Sequence, residues 1–221
     1  MLISRITLSP HAQARDLVSI AAADVYADHR LIWSFFGRDE PRRTFLYRRM
    51  EGKSRLSFLV VSEREPVAPS PAWIVETKDY DPGLEVGRTL RFVLRANPVI
   101  RRRTDGGKQR RDDVVMDAKR RFRVANPNRP VSLPELVQEA GVGWLLARAS
   151  RLGFQCDAAA VQCDGYRQHR IVRRGVTVSF SSVDLEGILT VTDSELFCKT
   201  LFAGIGPSKA FGCGLLLVRK L

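Results

Sequence analysis

The sequence is poor in the residue types on which several common functions depend. Among 221 residues there are four cysteines and three histidines. Cys156, Cys163, Cys198 and Cys213 form no CxxC pair, no cysteine–histidine array at zinc spacing and no papain-like arrangement, which argues against a structural zinc, a dithiol redox centre or a thiol protease. Carboxylates do not cluster as they do around a pair of catalytic metal ions. No apolar run approaches the about 20 residues needed to cross a bilayer, and the N-terminus lacks a basic stretch followed by a short apolar one. The chain therefore reads as cytoplasmic, with reduced thiols, no metal or cofactor, and no membrane partner. A GxxxxGK[ST] phosphate loop is also missing.

Acidic residues are also few. Thirty-six Lys and Arg stand against 24 Asp and Glu, a formal charge of +12. The excess is mostly arginine, whose planar fork suits phosphate, so nucleic acid is the first partner to consider. Hydrophobic residues make up 44%, enough to bury one large core or two smaller ones. The pattern of elements favours two.

Residues 2–8, LISRITL, alternate as a half-buried strand does. A segment from Ala12 to Phe36 reads as helix, with a break possible near Ala23 or Asp24. RTFLYRRM and RLSFLVVSE are strand-like runs around Glu51-Gly52-Lys53, a turn signal that makes them a hairpin. The proline-rich EPVAPSPAW then interrupts regular structure before a final strand. Asp81-Pro82-Gly83 supplies turn chemistry for a linker. Beyond it, GRTLRFVLRANPVI is a clear strand with Leu90, Phe92, Leu94 and Ala96 on one face.

Residues 101–130 carry RRR, KQRR and KRRFR with little apolar periodicity and read as an exposed, mobile basic insertion. A helix over about Leu133 to Leu152 follows, then strands near 154–163, 167–173 and 176–191, with a tight hairpin tip at Arg174-Gly175. Asp193 or Ser194 can cap a helix that buries Leu196, Phe197, Leu201 and Phe202. A glycine-rich loop and the strand GCGLLLVRK close the chain. Each half thus reads as strand, helix, strands, helix or irregular segment, strand. That is an α+β architecture of two tandem ferredoxin-like (RRM-like) domains, with 1–80 as the first, 81–87 as linker and 88–221 as the second.

The candidate chemistry starts with His29, three residues after Tyr26 and on the same helical face. Cleaving RNA without metal needs a base for the 2′-OH proton and an acid for the departing 5′ oxygen, and imidazole titrates near the working pH. Arg30, adjacent in sequence but on a different part of the helix, can stabilise the pentavalent phosphate if the helix end frays or turns there. Taken alone, Tyr-x-x-His is equally the mark of an ordinary helix surface. His169, among Arg167, Arg170, Arg173 and Arg174, reads as a phosphate or solvent contact more than an acid-base group, and His11 falls in a loop. In GIGPSKAFGCG, residues 204–214, Gly206, Lys209 and the backbone amides are placed where an anion can rest, or else form a tight helix-to-strand connection. The 167–174 hairpin and the 101–123 segment are each placed to line an RNA backbone.

The opening strand, Tyr26-x-x-His29, LRFVLRANP and the terminal GIGPSKAFGCGLLLV together resemble the CasE family, the CRISPR repeat-processing endoribonucleases of Cascade systems, over nearly the whole chain. The resemblance implies two ferredoxin-like domains in tandem. It implies metal-independent cleavage of the precursor CRISPR RNA repeat hairpin on the 3′ side of its stem, retention of the product, and assembly with the other Cascade subunits, with no DNA as direct substrate. It puts His29 and Tyr26 on the catalytic pair, the 167–174 hairpin on the element that enters the RNA major groove, and Lys209 on the glycine-rich motif. Some members carry a lysine five residues beyond the histidine; here that position is Ser34. The expected RNA-contacting set is Arg30, Arg95, Asn97, Arg101, Arg102, Arg103, Lys119, Arg120, Arg121, Arg167, Arg170, Arg173, Arg174, Gly206 and Lys209. Two other readings compete: a non-catalytic RNA-binding structural subunit, and a nucleotide-binding enzyme built on the glycine loop.

Overall fold

The computed structural model describes residues 1–13, 25–37, 42–50, 55–103, 107, 109–173 and 176–221. In the N-terminal half, β1 (Leu2–Leu8), β2 (Phe45–Met50), β3 (Ser57–Ser62) and β4 (Trp73–Asp79) form one antiparallel sheet in the order β2-β3-β1-β4. Helix α1 (Val25–Trp33) connects β1 to β2. The period-two pattern of β1 buries Ser4, Ile6 and Leu8 and leaves Arg5 outside. Ile32 of α1 and the turn residues Phe35 and Phe36 pack on that face, where the Phe36 and Phe45 rings stack 4.4 Å apart. β2 and β3 form the expected hairpin, while its 51–54 turn lies outside the described residues. Of the helix predicted over Ala12 to Phe36, Val25–Trp33 is helical, Ser34 to Phe36 form a turn, and 14–24 lie outside the described residues.

The second half repeats this plan. It comprises β5 (Thr89–Ala96), β6 (Val99–Arg103), β7 (Gln109–Asp113), α2 (Val114–Ala125), α3 (Leu133–Ala149), β8 (Phe154–Gln155), β9 (Val161–Arg173), β10 (Val176–Val191), α4 (Ser194–Ala203) and β11 (Leu216–Lys220). The sheet runs β11-β5-β10-β8, with β9 also paired to β10. The first sheet reads fourth-first-third-second strand, and the second does too when β5, β8/β9, β10 and β11 are taken as its four strands. This is the ferredoxin-like arrangement twice. Leu90, Phe92, Leu94 and Ala96 share the buried face, as the alternation predicts. Asp193 caps α4 by accepting from the Leu196 amide, and Phe197 and Leu201 are buried there. Where the sequence reads as one strand near 154–163, Ala158–Ala160 form a 3₁₀ turn between β8 and β9.

The 101–130 segment overturns the sequence reading of a mobile insertion. β6 and β7 pair as a hairpin, and α2 follows directly. Asp113 fixes the start of α2 by accepting from the Val115 and Met116 amides with one oxygen, while its other oxygen accepts from the Tyr166 hydroxyl of β9 at 2.7 Å. One turn on, the fully buried carboxylate of Asp117 accepts from Arg102 at 2.7 Å, Arg120 at 2.7 Å and Arg121 at 3.1 Å. A sequence with little apolar periodicity is ordered here by ion pairs, which a hydrophobicity pattern does not register.

A third, smaller core joins the halves: Leu46 and Val61 of the first sheet pack with Leu215, flanked by Ile3, Tyr80, Phe202 and Leu217. The Asp81-Pro82-Gly83 turn forms as read, with the Asp81 side chain accepting from the Gly83 amide.

The Asp117 cluster makes an unequal prediction. Asp117→Ala leaves three guanidinium groups without their buried anion and should lower unfolding free energy by about 3 kcal/mol. Arg120→Ala removes a side chain that is 55% exposed and should cost under about 1 kcal/mol. Urea unfolding followed by circular dichroism measures both, and equal losses would contradict the account.

Candidate active site

Helix α1 presents Tyr26 and His29 at the seam between the halves. The one-turn spacing brings the Tyr26 and His29 rings to 6.2 Å between centroids, and Trp33, a further turn on, meets His29 edge-on at 6.0 Å. Across the seam, Phe211 of the glycine-rich segment lies 6.2 Å from the imidazole. Arg30 is exposed on the same helix, and Asp28 is buried and paired with Arg49 of β2 at 3.1 Å.

Residues 204–214 form a framed loop. Lys209–Phe211 make a single 3₁₀ turn. The Tyr47 hydroxyl of β2 donates to the Ala210 carbonyl at 2.9 Å, and the Asn97 amide to the Ser208 hydroxyl at 2.7 Å. The Gly214 amide donates to the Arg95 carbonyl at 2.7 Å. Ser208 has φ of 59°, a left-handed conformation held by its bond from Asn97. Gly206 meets two demands: φ is +79°, and an added Cβ would sit 3.3 Å from the Trp144 ring and 3.4 Å from the Asn97 carbonyl. The Lys209 ammonium donates to the Ala203 carbonyl at the end of α4, and burial followed by the field of Arg43 lowers its pKa.

Strands β9 and β10 supply the third wall. His169 and Phe180 are cross-strand partners, so their rings stack at 4.5 Å, and Phe180 in turn stacks on Phe211 at 5.1 Å. The His169 Nε2 is 2.8 Å from the Ser182 hydroxyl. Burial, then Arg95 and Arg167, lower the His169 pKa and favour its neutral ring. The register shifts between Ser182 and Asp184, beside Gly165 with φ of +60°. Just past that shift, Asp184 accepts from Arg95 of β5 at 2.8 and 3.0 Å and from Arg48 of β2 at 3.1 Å.

Between these walls lies a cleft of about 560 Å³, lined among others by Val25 and Asp28 of α1, Arg49, Arg167 and Phe211. A neighbouring cleft of about 1000 Å³ is bordered by Arg43, Asn97, Arg111, His169 and Lys209. The structure thus gathers Tyr26, His29, Arg167, Arg170, Gly206 and Lys209 at one seam, though Lys209 is held on a carbonyl, and Arg30 is exposed on α1 beside His29 in sequence. Arg95 and Asn97 are there too, engaged in the internal bonds just described. Arg101 and Arg103 are exposed on β6, while Arg102, Arg120 and Arg121 are held on Asp117. Lys119 lines a separate cleft of about 500 Å³ with Arg123 and Arg129. Arg173 ends β9, and Arg174 lies outside the described residues. Among the described residues no group of three or more His, Cys, Asp and Glu is placed to hold a metal ion, and no helix is long and apolar enough to cross a membrane.

Phe180, Phe211, Arg43, Arg48 and Asp184 escaped the sequence reading. Only the first was accessible to it, because the strand pairing about the 174–175 tip sets Phe180 opposite His169. The others meet through tertiary contacts between residues far apart in the chain.

Comparison with known proteins places this geometry in a lineage. The model of a family described as CRISPR associated protein matches residues 1–220. The CRISPR system Cascade subunit CasE of Escherichia coli K12 is 26% identical over 201 residues, covering 90% of this chain and 93% of that protein. The CRISPR-associated endoribonuclease Cse3 of Thermus thermophilus is 29% identical over 228 residues, covering 99% of each. Among solved structures, CRISPR endoribonuclease Cse3 bound to a 19-nucleotide RNA superposes with a TM-score of 0.71 at 28% identity, over 99% of this chain and 100% of that one. Thermus thermophilus Cse3 bound to an RNA representing a pre-cleavage complex gives 0.68 at 26% identity, over 99% and 98%. The match runs from the first strand to the last, and the chain belongs to the CRISPR associated protein family, with CasE and Cse3 proteins as its relatives.

Proposed function

We propose that this protein is a metal-independent endoribonuclease that cleaves the stem-loop repeat of precursor CRISPR RNA, retains the product hairpin and joins the Cascade complex. The observation that carries the reading is the placement of His29 and Tyr26 on one face of α1, at the seam where the arginine-bearing β9–β10 hairpin and the glycine-rich loop converge. The relatives' names and RNA-bound states support the substrate class.

The chemistry follows from the groups present. The 2′ oxygen attacks the adjacent phosphorus, the P–O5′ bond breaks, and a 2′,3′-cyclic phosphate and a 5′-hydroxyl result. One proton leaves the 2′-OH and one reaches O5′. His29 and Tyr26 serve those transfers, and Arg30 offsets charge on the phosphoryl oxygens. Arg167 and Arg170, with Arg173 and Arg174 beyond them, hold phosphates of the stem. A-form RNA exposes little base information in its deep groove, so this contact reads shape and charge. Arg101, Arg103, Lys119 and the arginines around Asp117 form a second basic surface for RNA. Residues 1–80 constitute the N-terminal domain, 81–87 the linker and 88–221 the RNA-holding domain, and the protein acts in the cytoplasm, where precursor RNA is transcribed.

Purified protein incubated in EDTA with the hairpin repeat of the adjacent array should give one cut with a cyclic phosphate end. His29→Ala should slow it by at least about 100-fold while affinity changes less than about threefold. A parent protein that binds the hairpin and leaves it intact would instead favour the structural-subunit reading. Replacing both Arg167 and Arg170 by Ala should flatten the plot of log affinity against log salt by about 1 for each phosphate that is no longer neutralised. An unchanged slope, measured by filter binding across salt concentrations, would remove β9 from the interface.

A further inference from the structure

We infer that Phe211 is a positioning residue for His29: carried on the framed glycine-rich loop, its ring sets the orientation of the imidazole at the seam. This rests on the enzymatic reading above, because it gives His29 a proton-transfer role.

The ring neighbours of His29 differ in origin. Tyr26 and Trp33 belong to α1 and move with it, whereas Phe211 comes from the other half of the chain. Behind Phe211 stands Phe180, nearly parallel at 15° and 5.1 Å, and behind that His169 at 19° and 4.5 Å. The last ring is tied to Ser182. Three stacked rings thus run from the β9–β10 hairpin to the side of the imidazole, and pressure on one is met by the next.

The loop that carries Phe211 is built for stiffness. It is bonded to Tyr47 of the first sheet and to Asn97 and Arg95 of the second, and the Phe211 amide closes the 3₁₀ turn onto the Ser208 carbonyl. Its one lysine is turned onto the Ala203 carbonyl. A loop whose primary task was to grip phosphate would present that ammonium outward. This one uses it to hold the turn, which fits a support whose product is the placement of a ring.

A histidine side chain has several staggered rotamers, and an acid-base group acts only in those that reach the reacting oxygen. A rigid wall that excludes unproductive rotamers raises the rate without touching the RNA.

The test is single-turnover cleavage at saturating hairpin RNA in EDTA for the parent, Phe211→Leu and Phe211→Tyr. Affinity is read in parallel with RNA carrying a 2′-deoxy nucleotide at the cut. Phe211→Leu should slow cleavage by about 10- to 100-fold with affinity within about threefold, and should displace both the pH–rate profile and the His29 NMR titration midpoint. Phe211→Tyr, which keeps the ring, should recover cleavage to within about threefold. Cleavage by Phe211→Leu at the parent rate, an unmoved pH profile, or parallel loss of binding and cutting would overturn the inference. Should Phe211→Leu fail to fold, Phe180→Leu withdraws the support one ring back, and a rate equal to the parent's would be equally fatal. A parent that binds but never cuts refutes the enzymatic reading itself, a result distinct from a cutting parent with an indifferent Phe211→Leu.

Discussion

The carboxylate of Asp184 holds one guanidinium from each half of the chain, and the site exists because those halves meet at a fixed angle. Arg48 comes from the first sheet, Arg95 from the second, and Asp184 from the strand whose register shifts beside Gly165. Two ferredoxin-like units joined only by a turn would be free to swing. The ion triad, the small apolar core around Leu46, Val61 and Leu215, and the Tyr47 bond to Ala210 hold them instead. The apolar core reaches the glycine-rich loop through Leu46 beside Gly204, and the Tyr47 bond holds the 209–211 turn that packs against α1, so contacts that dock the halves also set the distance from His29 to Phe211.

Charge does two jobs in this molecule, and the placing of the carboxylates separates them. Arg102, Arg120 and Arg121 converge on the solvent-free Asp117, and Arg48 and Arg95 on Asp184; these arginines build structure. Arg30, Arg167 and Arg170 are exposed, and Arg167 and Arg170 line the seam cleft. The arginines behind the net charge of +12 therefore serve the fold as well as the surface. Lys209 makes the same point singly, since a loop that looks like an anion cradle in sequence has turned its ammonium onto its own helix.

The aromatic chain from His169 to His29 links the wall proposed to grip RNA with the group proposed to cut it. Neutral His169 stacks readily on Phe180 because its lowered pKa keeps a cation out of a packed, arginine-rich place. His169 thereby stands at one end of the ring stack and also lines the cleft, while His29 lies against Phe211 at the other end.

What the sequence determined by itself was whatever depends on local period and turn chemistry. The alternation in LISRITL and LRFVLRANP, the cap at Asp193 and the turn at Asp81-Pro82-Gly83 specify their elements through near neighbours, and their order was enough to indicate the doubled ferredoxin plan. Tyr26 and His29 were legible because one helical turn is a local distance. Tertiary structure decided the rest. The 101–130 segment had no apolar pattern to reveal β6, β7 and α2, because its order comes from Asp113 reaching Tyr166 and from three arginines meeting one buried carboxylate. Asp184 meeting Arg48 and Phe211 meeting His29 join residues far apart in the chain, and no spacing along a strand or helix encodes a contact that exists only once two sheets have docked.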